Sequence, residues 1–156
     1  MSDHMTVLVT GGAGYIGSHM VLALLDAGHQ PVILDDFSTG HEQLLPNGVP
    51  VFRGNVADAA LVAEICERYN IDAVAHFAAS IVVPESVMDP LKYYLNNTAS
   101  TTGFIAACVQ AGIKRFVFSS TAAVYGNQDH NPITEDASTQ PENPYGTSKL
   151  MSENIL

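Results

Sequence analysis

Tyr145 and Lys149 stand four residues apart in the stretch "NPYGTSKLMSENIL". On a helix, positions i and i+4 are neighbours, so this spacing puts a phenol and an ammonium on one face. An ammonium beside a phenol favours the phenolate, and the two together make a tuned acid and base. Thr121, which closes the run "FVFSST", offers a hydroxyl that can hold a substrate oxygen against Tyr145. With a hydride acceptor at hand, these three groups can take the proton of an alcohol while its hydride departs. Tyr-x-x-x-Lys pairs also arise by chance, so the elements around the pair must decide its meaning.

A second group of residues suits an anion. In "TVLVTGGAGYIGSH", Gly11, Gly14 and Gly17 form G-x-x-G-x-x-G between a β-rich run and a helical pattern. Glycines there let the backbone turn sharply and approach a pyrophosphate, while the free N–H groups of the helix start face it. A strand before and a helix after are the context this motif needs. The next apolar run, "PVILD", ends at Asp35, where a carboxylate can accept both ribose hydroxyls of an adenosine. Asp35 and Asp36 together repel a ribose phosphate, and no Arg or Lys lies between them and Arg53. The site is therefore expected to take NAD rather than NADP.

The elements that must position these groups alternate along the chain. Strands are predicted at Thr6–Thr10, Pro31–Asp35, Val49–Arg53, Asp72–His76 and Lys114–Ser119. Helices are predicted over Ile16–Ala27, from an Asp58 cap to Tyr69, over Pro90–Ala111, and from Tyr145 to Leu156. In the second of these, Leu61, Val62, Ile65, Cys66 and Tyr69 form one apolar stripe. The β-α alternation marks an α/β fold, a Rossmann-like doubly wound parallel sheet. Ligands of such sheets sit beyond the carboxyl ends of the strands, where Thr121 and the Tyr145 helix both belong. The long irregular stretch Thr121–Pro144 is of the kind that usually carries function.

Composition removes several function classes. The 156 residues suit one domain, taken as an NAD-binding domain over 1–156, and Met1–His4 reads as a possible extension before Met5. Sixteen acidic against six basic residues give a net charge of −10, with no basic stripe, so neither nucleic acid nor an anionic membrane is an expected partner. The six histidines lack ligand spacing, so no metal is expected. Cys66 and Cys108 fall in apolar helical patterns and read as buried thiols in a reducing compartment. No signal peptide or spanning apolar run occurs, and a cytoplasmic location is expected.

The stretches "VLVTGGAGYIGSH", "HFAASIVVPESVMDPLKYYLNN", "FVFSSTAAVYG" and "PYGTSKLMSE" together resemble the extended short-chain dehydrogenase/reductases. The middle two point within them to the UDP-glucose 4-epimerases. The resemblance runs from Val7 to Leu156 and implies Tyr145 as base, Lys149 as its partner and Thr121 as the assisting hydroxyl. It implies that Lys149 and Tyr145 also touch the cofactor NAD. Tyr15 and Ile16 would lie on its pyrophosphate, and Asp36, Phe37 and Ser38 near its adenosine ribose. Asn55 and Val56 would flank the adenine; Phe77, Ala78, Ala79 and Asn96 would line the rest. The implied reaction is redox-neutral: the C4 hydride of a UDP-sugar leaves and returns on the other face of a 4-keto intermediate.

The chain departs from the family at Asn55, where Asp is common, and at Ile81, where some epimerases carry Lys. Family members continue past this length with a substrate-binding domain, so a fragment with little activity alone is expected. The resemblance also implies a homodimer in the full-length protein, with Tyr93, Leu95, Ile105 and Val109 as candidates for its face, or for packing within one chain. A nucleotide-sugar dehydratase of the same fold is disfavoured, because Ala122-Ala123 stands where it would need Asp-Glu. A dinucleotide-binding module without catalysis remains the alternative of another class.

Overall fold

Five short apolar runs pair into one parallel sheet in the order β3-β2-β1-β4-β5: β1 (Thr6–Thr10), β2 (Gln30–Asp35), β3 (Val51–Arg53), β4 (Ala73–His76) and β5 (Phe116–Phe118). The computed structural model describes residues 4–156; Met1–Asp3, most of the expected extension, lie outside the described residues. The described residues divide into two compact units. One runs up to Ala78 and includes Gly103–Ser119; the other comprises Ala79–Thr102 and Ser120–Leu156.

The first unit holds the sheet. Side chains alternate along each strand, and here both faces are covered. Leu8, Val32, Leu34 and Val74 pack with Val62, Ile65 and Cys66 of helix α2 (Ala59–Tyr69) and with Phe104, Ala107 and Cys108 of helix α5 (Ser100–Gln110). Val7, Val9, Ile33 and Ala75 pack on the other face with Val21 of helix α1 (Tyr15–Asp26). The stripe expected on α2 is the buried one, with Leu61 and Tyr69 partly buried at its margin. Asp58 caps α2 by accepting the Leu61 N–H at 3.0 Å, and Asn70 closes it in the left-handed conformation.

No α-helix joins β2 to β3; among the described residues there is only a 3-10 turn at Glu42–Leu44. Gly40, Pro46 and Gly48 interrupt the connection, and they deny it a continuous helical face. A groove of about 590 Å³ between α2 and α5, lined by Ala63, Cys66, Asn70 and Ala107, opens beside Asp72 at the start of β4. It holds none of the expected site residues.

The second unit is helical. Helix α3 (Val83–Met88) was not predicted; Pro84 sits in its first turn, where a missing N–H costs nothing. The helix expected over Pro90–Ala111 is three pieces in succession: α4 (Pro90–Tyr93), a π turn at Tyr94–Ala99, and then α5. Helix α6 (Pro144–Ile155) begins at Asn143, whose side chain accepts the Gly146 N–H at 2.8 Å. The stretch before it is irregular, as expected, apart from a 3-10 turn at Ala122–Val124. Asn127 donates to both Glu142 oxygens at 2.8 Å and closes that loop at its base. Among the described residues no helix is long and apolar enough to cross a membrane.

Candidate active site

The glycine turn brings β1, β2 and β4 to one point. Gly11 has φ 68°, and a Cβ on Gly17 would lie 2.1 Å from the Gly11 carbonyl oxygen, so this turn closes only with glycine. A Cβ on Gly11 would meet the Ala78 nitrogen at 2.7 Å, which places Phe77 and Ala78 beside the turn. Beneath it, Thr10 Oγ1 and His76 Nδ1 lie 2.6 Å apart, both side chains buried, and tie the ends of β1 and β4. Helix α1 starts at Gly14 with no side-chain cap and no acidic residue in its first turn. An uncapped, acid-free helix start presents free N–H groups and a positive dipole end, which fits a pyrophosphate. Tyr15 and Ile16 there are 78% and 57% exposed.

Asp35 is built into the same turn. One carboxylate oxygen accepts the Ala13 N–H at 2.9 Å and the other the Phe37 N–H at 2.8 Å. Each oxygen keeps a lone pair for a ribose hydroxyl. Phe37 has φ 59°, an uncommon conformation for an aromatic residue, and it is held by that bond. Asp36 accepts from the Ser38 N–H at 2.9 Å and from the Asn55 amide at 3.1 Å. Burial works against its charge, but the bonds from Ser38 and Asn55 outweigh burial and hold its carboxyl below the usual range. Asn55 thus supplies a donor that an aspartate would lack. Its own oxygen accepts the Ala57 N–H at 2.9 Å, so one lone pair remains for an adenine amine. Val56 is buried in the core cluster.

In the helical unit the three acid/base candidates share one corner. Thr121 precedes the 3-10 turn and accepts the Ala123 N–H at 3.1 Å. That turn lies against the start of α6: a Cβ on Gly146 would fall 2.7 Å from the Ala123 carbonyl oxygen. Tyr145, in the first turn of α6, is half-buried, and its ring meets that of Tyr93 edge-on at 6.4 Å. Lys149 is only 3% exposed. Burial lowers its pKa to about 8, while the Glu153 carboxylate pulls it up. Glu153 is itself held by the Ser120 hydroxyl. Tyr93 cannot compete as an acid: burial and its bond to Glu85 push it up to about 12. Its one hydroxyl hydrogen is shared between the Val82 carbonyl at 2.7 Å and the Glu85 carboxylate at 2.8 Å.

A buried polar network holds α6. Asn97, 1% exposed, accepts the Ser80 N–H at 2.8 Å and donates to the Ser80 carbonyl at 2.9 Å and to Ser148 Oγ at 3.1 Å. The Ser152 hydroxyl donates to the Asn97 carbonyl at 3.1 Å, and the Thr98 hydroxyl to the Ser148 carbonyl, also at 3.1 Å. Asn96 donates to Ser80 Oγ at 3.0 Å. Asn96 and Asn97, both of which meet the Ser80 segment, lie in the π turn, and such turns recur at functional sites.

Residues 7–156 match the family described as NAD dependent epimerase/dehydratase family. The chain belongs to this family. It is 55% identical to the UDP-glucose 4-epimerase of Azospirillum brasilense over 150 residues, 96% of this chain and 43% of that protein. The UDP-glucose 4-epimerase of Brucella ovis, solved in complex with NAD, superposes with a TM-score of 0.94 at 43% identity, covering 97% of this chain and 46% of that one. The UDP-glucose-4-epimerase of Stenotrophomonas maltophila, solved with bound NAD and formylated UDP-arabinopyranose, gives 0.95 at 40%, covering 97% and 47%. The chain thus spans about half the length of these relatives.

Within the family, this chain's expected site residues fall into two sets. The glycine turn, Asp35–Ser38, Asn55, Phe77 and Ala78 belong to the sheet unit; Ala79, Asn96, Thr121, Tyr145 and Lys149 belong to the helical one. Ile81 is 66% exposed. Ser120, Glu153, Asn97 and Ser148 escaped sequence reasoning. The one available signal was Ser148 and Ser152, polar residues four apart on a helix that had to bury a face. Tyr93, a candidate for a dimer face, is fully buried within the chain, whereas Leu95 and Val109 are 65% and 67% exposed.

Proposed function

We propose that residues 1–156 act as the NAD-binding and proton-transferring part of a UDP-glucose 4-epimerase, which interconverts UDP-glucose and UDP-galactose. The observation that carries this reading is the buried Lys149 ammonium on the helix of half-buried Tyr145, with the Thr121 turn packed against that helix start. When bound, NAD supplies a hydride acceptor that returns what it takes. Gly11, Gly14 and Gly17 with the start of α1 hold its pyrophosphate, and Asp35 its adenosine ribose. Thr121 holds the sugar C4 oxygen. Tyr145 takes the proton of that oxygen and later gives it back. Lys149 remains mostly an ammonium at neutral pH, since about 8 lies above neutrality, and so can bind ribose hydroxyls and stabilise a phenolate. A cytoplasmic location is supported by the two unpaired, buried cysteines, and a homodimer by exposed Leu95 and Val109.

Tyr145→Phe is the test. In the whole protein it should lower UDP-galactose formation from UDP-glucose by about 10²–10⁴-fold, since a general acid–base contributes that much. NADH titration, followed by its fluorescence, should still report binding. Retention of full turnover by this variant would refute the assignment, and a wild type that binds NADH without any turnover would favour a non-catalytic module.

A further inference from the structure

One cation in the sheet unit, Arg53, lies beside the carboxylates assigned to the adenosine ribose, and it is already engaged. The sheet register pairs Arg53 of β3 with Asp35 of β2. The Arg53 guanidinium lies over the Phe37 ring, 4.1 Å from its centroid, and Phe37 is the residue whose N–H Asp35 binds. The guanidinium is therefore two residues along from the carboxylate assigned to the ribose. Its Nη2 donates to the carboxylate of Glu42. Glu42 is brought there by its own loop: the neighbouring His41 donates its N–H to the Ala13 carbonyl at 2.9 Å, and Ala13 in turn donates to Asp35. The loop and 3-10 turn between β2 and β3 thus carry an acid back to the glycine turn.

We propose that Glu42 is a cofactor-selectivity residue: by occupying Arg53 it denies a positive partner to the 2′-phosphate of a phosphorylated dinucleotide. This rests on the assignment of the glycine turn and Asp35 to NAD. Arg53 has the donors to bind a phosphate bidentately, and stacking on Phe37 leaves its edge open to do so. With Glu42 in place, that phosphate faces the carboxylates of Asp35, Asp36 and Glu42 and one compensated cation. Asp36 cannot swing aside freely, because Ser38 and Asn55 hold it. Selectivity against NADP then comes from the loop as well as from the two acids that end β2.

The test compares NADH and NADPH affinities by fluorescence titration of the chain as Glu42→Gln, Arg53→Ala and the double variant. Both side chains are exposed, 61% for Arg53 and 70% for Glu42, so the pair is weak and the folds should persist, as thermal melting will check. Glu42→Gln should raise the NADPH-to-NADH affinity ratio about fivefold at low salt, the scale of one exposed charge pair. Adding Arg53→Ala should abolish that gain, and high salt should shrink it. A ratio unmoved by Glu42→Gln while both dinucleotides bind would overturn the role of Glu42 and leave the NAD assignment standing. A gain that survives Arg53→Ala would overturn it as well. A wild-type chain that binds neither dinucleotide would overturn the assignment itself, and the proposal with it.

Discussion

Lys149 carries a charge that the fold does not welcome. Its pKa falls from 10.5 to about 8, with burial the cause and Glu153 the partial remedy. The sign follows from linkage. Below about pH 8 both the folded and unfolded chains hold the proton, and the folded one bears the cost of burying it. As pH rises through 8 the folded chain releases the proton while the unfolded one keeps it, so stability rises until about 10.5. That gap corresponds to roughly 3 kcal/mol. Lys149→Met should therefore stabilise the chain at pH ~7 and lose much of that advantage by pH ~10, as urea unfolding at the two values would report. Equal stabilisation at both would mean that Lys149 is not buried as a charge. The i,i+4 spacing of Tyr145 and Lys149 was legible because it is local. The Ser120–Glu153 bond was not, because it joins residues 33 apart in sequence.

Helix α6 has one buried side and little apolar surface with which to hold it. Its buried residues are Gly146, Ser148, Lys149 and Ser152, so hydrogen bonds rather than hydrophobic contacts fix its position. Asn97 is the hub, bonded through its side chain to Ser80 and Ser148 and through its carbonyl to Ser152. Asn97→Ala removes several bonds at once and strands the Ser80 backbone, a loss of roughly 2–4 kcal/mol. Amide exchange at Tyr145–Lys149 should quicken more than exchange in β1; uniform quickening would argue for general destabilisation instead. The helix over 90–111 was legible as a helix. Its π turn was not, since one extra residue per turn leaves no mark in composition and is stabilised by partners elsewhere in the chain.

The chain as a whole is acidic, with a net charge of −10, and its proposed ligands are anions. Its long-range field therefore opposes their approach, while the helix start and Lys149 attract them only at close range. Salt screens the first over a Debye length of about 10 Å at 0.1 M and affects buried groups less. The association rate of NADH should thus rise, not fall, as salt is raised from about 20 to about 200 mM, measured by stopped-flow fluorescence. A falling rate would point to a local positive field stronger than the net charge. The two cysteines add nothing to this chemistry: burial raises both thiols, Cys108 to about 12.

The five strands, the helices other than α3, the glycine turn, the acid after β2 and the Tyr-x-x-x-Lys pair could be read along the chain. Each depends on neighbours within a few residues, through periodicity, capping or the steric freedom of glycine. What folding alone decided is everything that joins distant segments: Thr10 to His76, Ser120 to Glu153, Asn97 to Ser148, and Glu42 to Arg53. Those contacts set which charges are buried, which are compensated and which conformations are held. A polar residue looks the same in sequence whether solvent or a buried partner satisfies it, and only the packed chain distinguishes the two.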